Sequence, residues 1–155
     1  MDYEQTIKTL KLVLPPAPKP AGSYRPVVIA DRTAYLSGQI SKTPDGKIIT
    51  GKVGKDLTLE EGKAAAKAAA MNVLAVIRDL IGFGKFGRML RLAGFVQTTP
   101  DFYDISQVMN GASDLFLEVF GEEGIHARSA VGMASLPMNA AVEIETTIQL
   151  KSPAP

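Results

Sequence analysis

An arginine near the C-terminus of the chain stands on a predicted strand whose neighbouring side chains are small. Alternation along residues 127–134 places Arg128 on one face of that strand together with two alanines and a glycine. Small neighbours leave space beside the guanidinium, which binds a carboxylate through two parallel hydrogen bonds. The pattern indicates either a small anion pocket or an exposed arginine paired with an exposed glutamate on the next strand, where Glu143 and Glu145 lie.

The composition excludes several other kinds of chemistry. The chain has 155 residues and no cysteine, so it forms one domain without disulfides, a thiolate nucleophile or a zinc–thiolate site. Its one histidine, His126, excludes a multi-histidine metal site within one chain. The net charge of +1 argues against binding to nucleic acid or to a membrane surface. With no leader and no apolar run of membrane length, we expect a cytoplasmic protein.

The hydrophobic pattern predicts the order strand, strand, helix, strand, helix, strand, strand, behind an N-terminal helix and a proline-rich arm. The predicted bounds are 2–14 for the first helix, 27–30, 33–39 and 89–98 for the first three strands, and 58–80 and 104–120 for the later helices. Four prolines keep the arm, 15–20, extended. Two helices can cover one sheet face, and the other face lacks cover within the chain, which predicts an obligate oligomer.

Several short stretches, taken in order, resemble the Rid family, also called YjgF or reactive intermediate deaminase and formerly labelled endoribonuclease L-PSP. These are 20–24, 36–39, Asn110 in the last predicted helix, 127–129 and 136–145. The specific part of the resemblance is Arg-Ser followed by Leu-Pro and Glu-x-Glu. Residues 1–20, ahead of the family-like domain 21–152, are similar to a longer subgroup with an N-terminal helix and a proline arm.

The resemblance implies a chorismate-mutase-like α+β fold, in which two helices pack on one face of a sheet, and a homotrimer with clefts between subunits. Family members hydrolyse reactive enamines and imines, made from amino acids, to 2-keto acids and ammonia. That reaction needs no metal and no organic cofactor. The alternatives are a non-catalytic sensor that binds a small carboxylate or keto acid in the same cleft, and a ribonuclease, which the near-neutral charge disfavours.

The resemblance also implies roles for particular residues. Arg128 falls on the arginine that holds the substrate carboxylate, and Glu143 on the carboxylate that positions water and moves protons. The implied substrate-binding positions are Tyr24, Gly38, Asn110 and Ala130. Ala130 stands where many members have a cysteine, whose role is ascribed to its backbone carbonyl.

Three acidic or basic side chains compete for the proton-transfer role. Glu143 could take a proton from water if partial burial raises its pKa, while Glu145 on the same face is a rival. His126 is either a catalytic group or a hydrogen-bonded residue at the rim of the cleft. A hairpin centred on 137–139 would place Arg128 and Glu143 about 16 Å apart. A shared site would then need Glu143 from a neighbouring subunit, unless a bulge or a long side-chain reach closes the gap.

Overall fold

The computed structural model describes residues 2–20 and 22–153, and its strands form one five-stranded sheet. The strands are β1 Val27–Ala30, β2 Thr33–Ile40, β3 Phe86–Gln97, β4 Ala127–Met133 and β5 Val142–Leu150. The helices are α1 Tyr3–Thr9, α2 Leu59–Val76 and α3 Ile105–Phe120. The predicted α+β fold is confirmed, whereas the domain boundary at residue 21 lies outside the described residues. Over the described ranges, none of the helices is both long enough and apolar enough to cross a bilayer.

Helix α2 begins where the sequence predicts, and the π turn that continues it carries the helix to the predicted end before Gly82. The Thr58 hydroxyl accepts a hydrogen bond from the Glu61 N–H at 3.2 Å, and the Glu61 carboxylate accepts one from the Thr58 N–H at 2.7 Å, which forms the predicted capping box. After Val76 the helix widens into one π turn, Ile77–Ile81, and Gly82 ends it with a φ of 88°. The widened last turn was not predicted.

Helices α2 and α3 cover one face of the sheet and leave the other open. Leu92, Ile144 and Ile148 are buried beneath the helices. On the opposite face, 54% of Tyr35 and 44% of Val131 are exposed in the single chain. The sheet therefore has a face with exposed apolar side chains that no element of the described chain covers.

The last two strands do not form a hairpin, and that sequence prediction is wrong. Strand β4 pairs in parallel with β3, where Leu92 lies opposite Arg128, and β5 lies between β2 and β3. The reason is the strand–helix–strand connection through α3, since such a crossover returns the chain parallel to the first strand. The buried Gln97 at the end of β3 fixes the β4–β5 connection: its side-chain amide donates to Asn139 Oδ1 at 2.8 Å and accepts from the Leu136 N–H at 3.2 Å.

The N-terminal helix is shorter than the predicted 2–14. It ends at Thr9 because Lys11 adopts a left-handed conformation with a φ of 54°, which stops helical hydrogen bonding. Tyr3 and Ile7 on this helix are buried in the main core. The Tyr3 ring packs edge-on against Phe120, with centroids 5.0 Å apart. The segment that follows α1 therefore starts from a fixed anchor.

Strand β3 begins three residues before its predicted start at Met89. Phe86 is fully buried, and its ring stacks on Phe120 with centroids 4.0 Å apart. It also pairs with Leu150 of β5. Packing against the aromatic cluster therefore extends the strand across a stretch that contains Gly87, which weakened the sequence signal.

Candidate functional site

Arg128 projects from β4 towards α3, where three groups accept hydrogen bonds from its guanidinium. Nη1 donates to Asn110 Oδ1 at 2.9 Å and to Ser113 Oγ at 3.1 Å, and Nη2 donates to the Ser106 carbonyl at 3.3 Å. Arg128 and Asn110, which the sequence analysis singled out separately, therefore lie in one cluster. We call Arg128, Asn110 and Ser113 the guanidinium cluster.

The guanidinium of Arg128 keeps donors for a ligand. Arginine has five N–H groups, and three of them donate to α3. Among the described residues, the Nε–H and one Nη2–H have no acceptor. Two N–H groups on a rigid, planar cation fit the two oxygens of a carboxylate. The hydrogen bonds to α3 hold the cation in place before a ligand arrives, which lowers the entropic cost of binding.

His126 is hydrogen-bonded to Ser113 of the guanidinium cluster. Its Nδ1 lies 2.6 Å from the Gly124 carbonyl, and its Nε2 lies 3.0 Å from Ser113 Oγ. Burial lowers the pKa of His126 below its ordinary value, and the positive charge of Arg128 acts in the same direction. A neutral His126 that donates through Nδ1–H accepts from the Ser113 hydroxyl, which leaves the hydroxyl lone pairs for Arg128. The structure thus places His126 in a hydrogen-bonded, supporting position.

Three further predicted site residues line a separate cavity of about 340 Å³, which we call the Glu143 cavity. Its walls include Tyr24, Gly38 and Glu143. A β-bulge shapes it: Leu36 pairs with Thr146 and Gln39 with Ile144, so β2 carries one extra residue here. Further lining comes from Pro18, Lys19, Pro20, Lys42 and Met138.

Gly38 sits in this bulge and leaves room for the carboxylate. A Cβ atom at this position would overlap Glu143 Oε1 and would lie 3.1 Å from Glu143 Cδ. Any larger residue would therefore displace the Glu143 side chain. Burial raises the pKa of Glu143 above its ordinary value, and the nearby Glu145 adds to this rise. The arrangement is that of a carboxylate adapted to exchange protons closer to neutral pH.

The guanidinium cluster and the Glu143 cavity lie on opposite faces of the sheet. Arg128 shares the helix-covered face with Leu92, whereas Glu143 lies opposite Phe95 on the open face. Strand β3 separates the two strands, so the residues are about 10 Å apart across the sheet and about 10 Å apart along it. Although the predicted hairpin is wrong, the two side chains do not converge within one chain.

Ala130 lies two residues after Arg128 on the same strand and the same face. It is half-buried against the core. Its position next to the guanidinium cluster is compatible with a backbone contact to a ligand held there. Within residues 2–20 and 22–153, no group of three or more histidine, aspartate and glutamate side chains converges on a point that could hold a metal ion.

Sequence reasoning missed the role of Ser113. It lies three residues after Asn110 on α3, so both side chains project from one side of the helix. Because Asn110 was already placed on a predicted helix, the three-residue spacing is the signal that could have identified Ser113. The contribution of the Ser106 carbonyl could not have been found, since backbone acceptors leave no mark in a sequence.

Comparisons with known proteins agree with the fold and with the resemblance. The family model described as "YjgF/chorismate_mutase-like, putative endoribonuclease" matches residues 4–148. The chain is similar to protein TCP17 of Trypanosoma cruzi, with 42% identity over 94% of this chain and 92% of that protein. It is also similar to a 2-iminobutanoate/2-iminopropanoate deaminase of Dermatophagoides farinae, with 31% identity over 88% of this chain and 93% of that protein.

The crystal structure of protein Atu1372 from Agrobacterium tumefaciens superposes on this fold with a TM-score of 0.86. The two share 41% sequence identity over 96% of this chain and 94% of that one. Together with the family match over 4–148, this likeness settles the class of protein. The chain belongs to the YjgF/chorismate-mutase-like family, as its motifs predicted.

Proposed function

We propose that this protein is an enamine/imine deaminase, which hydrolyses reactive 2-aminoacrylate-type intermediates to 2-keto acids and ammonia. The carrying observation is the half-buried Glu143, whose raised pKa and open cavity suit proton transfer to and from water. The relative named as an imine deaminase supports the same chemistry. A net charge of +1 favours a small-molecule substrate over RNA.

The proposed mechanism divides the work between the two groups of residues. Arg128 binds the substrate carboxylate through its two available N–H groups and so orients the C=N bond. Glu143 takes a proton from a water molecule as the water oxygen bonds to the imine carbon. The proton then passes to nitrogen, which gives a carbinolamine. Glu143 moves the hydroxyl proton of this intermediate to the same nitrogen, and the C–N bond breaks as the C=O bond forms, so that ammonia leaves. An enamine substrate first takes a proton on carbon and then follows the same route.

We propose that the site is completed at the interfaces of a homotrimer, because Arg128 and Glu143 face opposite sides of one sheet. The open face carries Val28, Tyr35 and Val131, all exposed in the single chain. A neighbouring subunit that covered this face would bury apolar surface. It would also bring Arg128 of one subunit close to Glu143 of the other.

We therefore expect light scattering to report a trimer at micromolar concentration. Burial of the apolar side chains on the open face of the sheet supplies the free energy of association. A stable, well-folded monomer would contradict both the trimer and the intersubunit site.

A non-catalytic sensor for a small carboxylate or keto acid is the second candidate. It is favoured by the guanidinium cluster, which is complete within one chain and does not involve Glu143. The two candidates differ in what Glu143 must do. The sensor needs only Arg128, whereas the deaminase needs both residues.

The test is an assay of 2-keto acid release from imines generated from several amino acids. We compare the wild type with Arg128→Ala and Glu143→Gln, and subtract uncatalysed hydrolysis. For a deaminase, Glu143→Gln abolishes release while keto acid binding persists. A wild type that binds keto acids but does not exceed the uncatalysed rate would identify the sensor instead.

The pH dependence of activity provides a test of Glu143 as the base. The base must be ionised, so kcat/KM falls as pH drops through its pKa, and a raised pKa places this acid limb above the ordinary glutamate value of 4.5. Removing the nearby negative charge by Glu145→Gln should move the limb to lower pH. The matched control is Glu60→Gln, an exposed carboxylate on α2, which should leave the limb in place. An unmoved limb in Glu145→Gln would contradict the assignment.

A further inference from the structure

The proline-rich arm, 15–20, is fastened to the end of α2 by two side chains. The Ala17 N–H donates to Asp79 Oδ2 at 2.8 Å, and Arg78 Nη2 donates to the Pro15 carbonyl at 2.8 Å. Within the arm only Ala17 and Lys19 have a backbone N–H, because the other four residues are prolines. Asp79 thus holds one of the two backbone donors that the arm possesses.

Arg78 and Asp79 also bind each other, which is unusual for consecutive residues of a helix. Their Nε and Oδ1 atoms are 2.6 Å apart, and a second contact joins Nη2 to Oδ2 at 3.0 Å. Neighbouring residues of an α-helix point in different directions. Here both residues lie in the π turn Ile77–Ile81, whose wider backbone lets the two side chains face the arm together. We call the Arg78–Asp79 pair the latch.

The arm continues from the latch directly into the wall of the Glu143 cavity. Pro18, the residue after Ala17, lines that cavity, and Lys19 and Pro20 line it as well. No flexible residue separates the latched Ala17 from the first lining residue. The position of the latch therefore fixes the position of this wall.

We propose that the arm forms a wall of the site and that this wall limits the size of the substrate side chain. The latch holds it, and residues 18–20 set how large an apolar substrate side chain fits beside Glu143. This inference rests on the proposed function, and it assigns the limit on the size of the substrate side chain to the arm. Pro18 and Pro20 suit this task because their rings are rigid and apolar. Across the cavity, Ile40, Ile48 and Met138 supply further apolar surface.

Asp79→Ala tests the proposal because it removes the acceptor for the Ala17 N–H and the partner of Arg78. Two measurements are made: hydrogen exchange at the Ala17 amide, and the ratio of kcat/KM for a phenylalanine-derived imine to that for an alanine-derived imine. We expect faster exchange at Ala17 and a ratio that rises about tenfold, the lower end of the discrimination that one methylene group provides. The matched control is Glu60→Ala, which breaks the exposed Lys63–Glu60 pair on α2 and should change neither quantity.

Each possible result tests one part of the proposal, either the latch or the wall. Unchanged exchange at Ala17 overturns the latch, and faster exchange with an unchanged ratio overturns the wall. Pro18→Ala leaves the latch in place and removes the proline ring from the cavity wall. It should therefore raise the ratio of the two kcat/KM values even if Asp79→Ala folds poorly. If the wild type hydrolyses no imine, the proposed function fails alone, because the affinities for phenylpyruvate and pyruvate still report the size limit.

Discussion

Replacing Arg128 by lysine should lower kcat/KM for imine hydrolysis nearly as much as replacing it by alanine. Lysine keeps the positive charge, but its three N–H groups cannot offer a carboxylate two donors in one plane while also donating to Asn110 and Ser113. Loss of a charge-assisted two-point contact costs on the order of 2–4 kcal/mol. That corresponds to about thirtyfold to several-hundredfold in kcat/KM, measured by keto acid release.

The control for this prediction is Arg32→Lys, which changes an exposed arginine in the β1–β2 turn in the same way and should retain full activity. Thermal unfolding of each variant separates a local loss of binding from a loss of folding, because Arg128 also ties β4 to α3. If Arg128→Lys keeps most of the activity in a normally folded protein, the two-point grip on the substrate carboxylate is wrong.

Mixing two inactive variants should restore activity. Arg128→Ala lacks the guanidinium and Glu143→Ala lacks the base, yet a cleft that takes one residue from each neighbouring chain can receive both intact. With equal amounts and random exchange of subunits, about a quarter of the clefts of a trimer contain the intact pair. We therefore expect about a quarter of the wild-type activity, measured after subunit exchange has been verified by mass spectrometry.

The matched control mixes Arg128→Ala with the double variant Arg128→Ala/Glu143→Ala. No cleft can then contain an intact arginine, so the mixture should stay inactive. Absence of recovery in the first mixture, despite complete exchange, would mean that the two residues act within one chain or that one of them is not needed.

The sequence predicted the positions of the helices and strands better than it predicted which strands pair with each other. Periodicity and the Thr58–Glu61 capping box placed α2, and alternation put Arg128 on the correct face of β4, because both signals are local. The pairing of β4 was missed, since a short connection between two strands suggested a hairpin. The β3–α3–β4 order contained the correct answer, because a strand–helix–strand unit favours parallel pairing.

The candidate site shows the same limit. The resemblance singled out Arg128, Asn110, Gly38 and Glu143, and the structure gathers them into two groups on two faces. Which residues belong to which group depends on strand order, which is a property of the whole sheet. The latch could not have been foreseen either, because its geometry depends on a π turn that leaves no distinct pattern in the residues 77–81.

The placement of Arg128 and Glu143 on opposite faces of the sheet has a consequence for mixed populations of chains. In a ring where each cleft draws on two subunits, a chain defective in both residues disables the two clefts to which it contributes. The number of working clefts then falls as the square of the fraction of intact chains, rather than in proportion to it. A defective allele expressed beside a normal one would therefore be partly dominant, leaving about a quarter of the activity where a self-contained site would leave half.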